Sequence, residues 1–136
     1  MGTIRAGDTV ARLGGDEFVI VLPQIHSEEQ AERVAQKIID KMSEPFSIAN
    51  AEVRITISMG ISFFPKDGSN LETILKNADL SMYTAKEQGR NQICHFTEAM
   101  HAKVKTRLKL ELALRNALKN HEFFMNYQPI VDLKTG

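Results

Sequence analysis

Hydrophobic and polar positions change their period repeatedly along this chain, and each change marks the border of an element. Thr9-Val10-Ala11 and Phe18-Val19-Ile20-Val21-Leu22 are apolar, β-prone runs separated by Arg12-Leu13-Gly14-Gly15-Asp16-Glu17. They read as two strands of a tight hairpin with Gly14 and Gly15 as the turn, because a two-residue connection that matches strand twist needs positive φ at its centre. After Pro23 the period lengthens: Ala31, Val34, Ala35, Ile38, Ile39 and Met42 recur at helical spacing and describe one amphipathic helix. Ser27 with Gln30 supplies a capping box at its start, and Pro45 stops it.

From Val53 the chain alternates, with Val53, Ile55, Ile57, Met59 and Ile61 on one face and Arg54, Thr56, Ser58 and Ser62 on the other. That is the pattern of a half-buried strand. Phe46-Ser47-Ile48 is expected to pair back on its beginning as a short hairpin around Ala49-Asn50-Ala51. Gly60 interrupts the polar face and marks either a bulge or a close backbone approach. A second helix is expected from Ser69, with Glu72 three residues on, through Leu71, Ile74, Leu75, Ala78, Met82 and Ala85 to a C-terminal cap at Gly89. Ile93 to Phe96 closes this part as a strand. Thr97 to Glu122 is free of Gly and Pro, with a stripe of Leu110, Ala113, Leu114, Ala117 and Leu118, and reads as a long connecting helix. Its basic residues Lys103, Lys105, Arg107, Lys109, Arg115 and Lys119 fit a membrane-surface or coiled-coil role, or more plainly a solvated helix with its stripe packed on one domain. Glu122 to Gly136 is a β-rich segment ending in a turn.

Composition narrows the function classes. The 136 residues are 43% hydrophobic and 25% charged, which is an ordinary globular balance for one domain. Seventeen basic and seventeen acidic residues cancel, so no global field recruits nucleic acid or anionic membrane, and phosphate binding has to be local. The single cysteine, Cys94, excludes an internal disulfide and reads as a small buried apolar residue in a reducing compartment. His26, His95, His101 and His121 lack metal-ligand spacing. With no apolar run of membrane length and no charged-then-apolar leader, the chain reads as soluble and cytoplasmic, with no membrane partner.

The candidate chemistry sits in the hairpin. A tip without β-carbons lets a polyphosphate approach the backbone, and the adjacent carboxylate can hold the divalent cation such a ligand brings. The bland alternative is a surface hairpin with an acidic tip. Asp16 and Glu17, as neighbours at the mouth of a strand, send their side chains to opposite faces. Lys86 and Arg90, four residues apart around a helix end, read as a pair of phosphate-binding cations or as cations that suit a helix C-terminus. In the lead-in turn, Arg5 and Asp8 form an R-x-x-D that is either a local pair or a guanine- and phosphate-binding pair.

Arg12-Leu13-Gly14-Gly15-Asp16-Glu17-Phe18 resembles the signature of the GGDEF family, the diguanylate cyclases that condense two GTP into cyclic di-GMP. Ala78-Asp79, Met82-Tyr83, Ala85-Lys86 and Gly89-Arg90-Asn91 resemble its second diagnostic block. The resemblance implies Asp16 as metal-binding and catalytic residue with Glu17 beside it, and Mg²⁺ (or Mn²⁺) as cofactor. It further implies Gly14, Gly15, Lys86 and Arg90 at the GTP, Arg5 and Asp8 at an inhibitory product site for cyclic di-GMP, and a homodimer with a second GGDEF domain. Residues from Glu122 onward closely resemble the first strand of an EAL domain, the barrel-type cyclic di-GMP phosphodiesterase, without its Glu-Ala-Leu motif. The expected organisation is a partial GGDEF domain over 1–96, a linker helix over 97–122 and the start of an EAL domain over 123–136.

The expected fold is α+β, a ferredoxin-like or palm-type antiparallel sheet with helices in the order β-β-α-β-α-β, lacking the first βα unit, plus a C-terminal linker helix. The resemblance also implies an upstream strand with a further metal-binding Asp and a helical region that recognises guanine, neither present in residues 1–136. The chain is therefore expected to be incomplete for catalysis, and to cover its open strand row by association, domain swapping or altered pairing. Two further readings stand beside the cyclase: a non-catalytic GTP or cyclic di-GMP binding module regulating an attached phosphodiesterase, and a structural interaction domain without nucleotide.

Overall fold

The computed structural model describes residues 4–49, 51–130, 132 and 134, and the chain forms two compact units, Met1–Met100 and His101–Gly136. The first unit runs β1 (Thr9–Gly14), β2 (Glu17–Val21), α1 (Glu28–Ser43), β3 (Phe46–Ile48), β4 (Ala51–Val53), β5 (Met59–Ile61), α2 (Leu71–Glu87) and β6 (Ile93–His95). The α+β class expected from the pattern is what forms. Its strands pair two by two, β1 with β2 and β3 with β4 antiparallel, β5 with β6 parallel. The last pair departs from the all-antiparallel expectation because α2 is a crossover that brings the chain back to run beside β5 in the same direction.

The strand expected from Val53 to Ser62 is divided. Residues 54–58 carry no strand ladder, since among the described residues no neighbouring strand pairs with them. Val10, Phe18, Val21, Val53 and Ile55 are exposed.

The helices follow their sequence stripes. Ala31, Ala35 and Ile39, four residues apart in turn, are the buried line of α1. Its N-cap is Ser27, whose hydroxyl accepts from the Gln30 N–H at 3.3 Å. The Gln30 side chain reaches back one residue further than a capping box requires and accepts from the His26 N–H at 3.0 Å. The Ser27 hydroxyl also holds the Glu29 carboxyl below its ordinary value. A depressed carboxyl pKa stabilises the fold above the unfolded value and ceases to do so as pH falls through the folded one.

The N-cap of α2 is Asn70, not Ser69: its side chain accepts from the Thr73 N–H at 2.9 Å. Asn and Ser cap about equally well. The preceding turn decides, where Asp67 accepts from the Phe63 N–H at 2.7 Å and fixes the entry of the chain. Replacing Asn70 by alanine is expected to lower stability by about 1 kcal/mol in urea unfolding, and Ser69→Ala by only a small fraction of that.

On its inner face α2 presents small polar residues. Asn77, Ser81 and Thr84 are buried together with Ala85, and each polar group is satisfied. The Ser81 hydroxyl lies 2.8 Å from the Ala78 carbonyl, Thr84 donates to the Leu80 carbonyl at 2.9 Å, and the Asn77 amide donates to the Asp67 carbonyl at 2.6 Å. These short side chains let β5 lie directly against the helix at Gly60, which is the close approach its position suggests: a β-carbon there would stand 2.0 Å from the Ala78 carbonyl oxygen.

The long helix α3 (Glu98–Lys119) begins at the border of the units and has no buried residue. Leu110, Leu114 and Leu118 of its expected stripe are exposed. Basic residues interleave with the leucines all round the helix, so no dry face forms. Residues 123–130, expected to be strand, form none, because there is no ladder partner among the described residues. Asn50 of the short hairpin and Val131, Leu133, Thr135 and Gly136 of the terminal turn lie outside the described residues. No helix among the described residues is long and apolar enough to cross a membrane.

Candidate functional site

The hairpin pairs from Thr9 opposite Val21 to Arg12 opposite Phe18, then Gly14 opposite Glu17. Leu13 is left without a partner and forms a β-bulge, which moves the turn by one residue. The tip is therefore Gly15-Asp16 rather than Gly14-Gly15, and only Gly15 has positive φ, at 53°. Asp16 sits in the turn itself and Glu17 opens β2, both exposed. A β-carbon at Gly14 or Gly15 would meet nothing within 4 Å, so the space over the tip is open to a ligand.

One residue of the tip was not singled out by its chemistry in the sequence. The Arg12 guanidinium donates from Nε and Nη2 to the Gly15 carbonyl, at 2.9 and 2.6 Å. A planar fork on one carbonyl fixes the turn from inside the hairpin and sets a cation beside the two carboxylates. Its place directly before the Leu-Gly-Gly run was the available signal.

Lys86 lies half-buried in the last turn of α2, and Arg90 is exposed just beyond it. Gly89 terminates the helix at φ 121°, as expected, and the Arg90 N–H donates to the Ala85 carbonyl at 3.0 Å. Among the described residues neither cation has an ion-pair partner. Arg5 and Asp8 form a turn: the Asp8 carboxylate accepts from the Arg5 backbone N–H at 2.8 Å, and the Asp8 N–H donates to the Arg5 carbonyl at 3.0 Å. Their side chains do not pair with each other. The structure thus groups the candidates in three places: the hairpin tip, the end of α2 and the lead-in turn. No hydrogen bond or ion pair joins these places among the described residues.

Cys94 and His95 lie in β6, outside these three groups. Burial pushes the Cys94 thiol up, which disfavours the thiolate. His95 stacks on Phe63 with ring centroids 6.0 Å apart.

The family described as "Diguanylate cyclase, GGDEF domain" matches residues 2–92. The chain belongs to the GGDEF family. It is 42% identical over 133 residues to the bifunctional diguanylate cyclase/cyclic di-GMP phosphodiesterase MucR of Pseudomonas aeruginosa, covering 98% of this chain and 19% of that protein. It is also 42% identical over 129 residues to the cyclic di-GMP phosphodiesterase PdeR of Escherichia coli, covering 95% of this chain and 19% of that one. The solved GGDEF domain of TpbB (YfiN) from Pseudomonas aeruginosa superposes with a TM-score of 0.74 at 32% identity, over 76% of this chain and 61% of that domain. The chain thus spans about a fifth of the length of these two curated relatives.

As a GGDEF chain it can be tested for the fit of a divalent cation. Among the described residues no group of three or more His, Cys, Asp or Glu side chains converges on one point. Asp16 and Glu17 offer hard oxygen donors at an open tip, which suits Mg²⁺, a cation bound through one or two carboxylates together with substrate phosphates. The donor set fits an ion that is shared with a triphosphate.

Proposed function

We propose that this chain is the later part of the GGDEF domain of a GGDEF–EAL signalling protein, and that this domain is a diguanylate cyclase acting on GTP. The observation that carries the reading is the complete Arg12–Phe18 tip, with its open approach over Gly14 and Gly15 and its two exposed carboxylates. Asp16 holds Mg²⁺ (or Mn²⁺) with the triphosphate, and Glu17 beside it supplies a second acidic group. Bound there, the metal would neutralise phosphate charge and lower the pKa of the attacking 3′-hydroxyl. Lys86 and Arg90, cations without ion-pair partners among the described residues, take phosphate oxygens. Arg5 and Asp8 form the inhibitory site for cyclic di-GMP, and the reaction needs a second GGDEF domain to present the other GTP. The organisation proposed is GGDEF over 1–96, linker over 97–122 and the first segment of an EAL domain over 123–136. The isolated chain is expected to be inactive, and the activity belongs to the longer protein.

A second reading, in which the domain binds GTP or cyclic di-GMP and regulates an attached phosphodiesterase without turnover, draws on the phosphodiesterase relative at 42% identity. Incubating the longer protein with GTP and Mg²⁺ and following cyclic di-GMP by chromatography separates the two. Product formation is expected; GTP binding without product selects the second reading, and no binding of either nucleotide overturns both.

A further inference from the structure

The loop after α2 holds three consecutive residues in the left-handed region: Gly89 at φ 121°, Arg90 at 60° and Asn91 at 49°. Glycine adopts that region freely, whereas an Arg there costs free energy and persists only where its surroundings over-determine it. The surroundings are visible. On the helix side, the Ala85 carbonyl accepts both the Arg90 N–H at 3.0 Å and the Gln92 side-chain amide at 2.9 Å. On the strand side, the Met59 N–H donates to the Gln92 carbonyl at 3.0 Å, and the Asn91 N–H donates to the Ser58 hydroxyl at 3.2 Å.

Ser58 stands at the end of the unladdered segment, one residue before β5, and is thirty-three positions from Asn91 in sequence. Its hydroxyl satisfies the amide of the second non-glycine residue in the strained run. Met59 then meets Ile93 as the first rung of the parallel pair. Arg90 is therefore suspended between the Ala85 carbonyl behind it and the Ser58 hydroxyl ahead of it.

We propose that Ser58 is a positioning residue for Arg90: by capping the Asn91 N–H it holds the left-handed turn that presents the guanidinium to anionic phosphate. The proposal rests on the reading of Arg90 as a cation for the GTP phosphates. Ser58 touches no ligand. It lowers the ordering needed when phosphate binds, since a preformed guanidinium loses less freedom on binding. Loss of the hydroxyl leaves the Asn91 amide without its partner and lets the turn leave the left-handed region.

The test uses the longer protein that carries this chain, with a fluorescent GTP analogue in Mg²⁺ at fixed salt, and amide hydrogen exchange without nucleotide. Ser58→Ala is expected to weaken nucleotide binding about three- to tenfold, the range of one lost hydrogen bond. Ser58→Thr, which keeps the hydroxyl, is expected to stay within about twofold of the wild type. In an Arg90→Ala background, Ser58→Ala is expected to change binding no further. In exchange, Ser58→Ala is expected to speed the Asn91 amide about tenfold while leaving the amides of α1 as they were, which separates a local effect from general destabilisation. Unchanged exchange at Asn91 overturns the tether. Loss of affinity that is equal with and without Arg90 overturns its route through the guanidinium. A wild-type longer protein that binds no nucleotide overturns the phosphate reading and with it the proposed role of the turn, whereas the exchange result alone reports whether the tether exists.

Discussion

Gly60→Ala is expected to unfold the first unit or to leave it barely folded. A β-carbon at this position would sit 2.0 Å from the Ala78 carbonyl oxygen, 2.3 Å from the Met82 nitrogen and 2.5 Å from the Ser81 hydroxyl oxygen. Two of the three are helix backbone and cannot rotate away, so β5 and α2 have to separate. Overpacking by a single methyl costs typically 1–3 kcal/mol where side chains can adjust. Here they cannot, and about 3 kcal/mol or more is expected, a large share of the ~5–15 kcal/mol that holds a domain together. Urea unfolding followed by circular dichroism is the measurement. A midpoint unchanged from the wild type would show that the strand and helix are less closely apposed than described. Because α3 has no buried residue, part of the helical signal should survive the substitution.

Asp16→Asn, in the longer protein that carries this chain, is expected to lower GTP turnover about 10²-fold or more. The substitution preserves shape at an exposed turn, so stability should hardly move. On the proposed reading it replaces a charged oxygen ligand with a neutral amide where a divalent cation would be shared with a triphosphate, and metal stabilisation of transition-state charge amounts to several kcal/mol, each ~1.4 kcal/mol being tenfold in rate. The loss should fall on kcat in Mg²⁺, while GTP binding measured in a metal chelator stays near the wild-type value. Turnover within about tenfold of the wild type would remove Asp16 from the metal site.

What could be read from residues alone divides along physical lines. The helix α1 was legible to its cap, because Ala31, Ala35 and Ile39 repeat at the helical period and Ser27 can cap nothing else. The hairpin was legible but its turn was not. A two-glycine run marks where the chain reverses, whereas the bulge at Leu13 depends on how two strands settle their register, which is a pairing property rather than a local one. The segment 54–58 shows the converse. Its alternation reports which faces its residues prefer, and a ladder needs a neighbour that alternation cannot supply. The α3 stripe was visible too, but a stripe promises burial only if something packs on it. Of the candidate site, Asp16, Glu17, Lys86 and Arg90 stand out as candidates because their chemistry is written in their side chains. Arg12 and Ser58 act through backbone atoms, the Gly15 carbonyl and the Asn91 amide, and such roles appear only once the chain is folded.

The unpaired Leu13 makes the hairpin respond very differently to two kinds of change in its sequence. Its side chain is exposed, so most substitutions there cost little. Deleting it is another matter. With one residue fewer, Arg12 opposite Phe18 and Gly14 opposite Glu17 become consecutive rungs, so the ladder runs regularly into the same Gly15-Asp16 tip and every facing pair is kept. What is lost is the extra local twist that a bulge adds, and with it the aim of the tip relative to the Arg12 guanidinium that clamps the Gly15 carbonyl. The bulge thus acts as a wedge: an apparently dispensable residue sets the angle at which the strands present their tip.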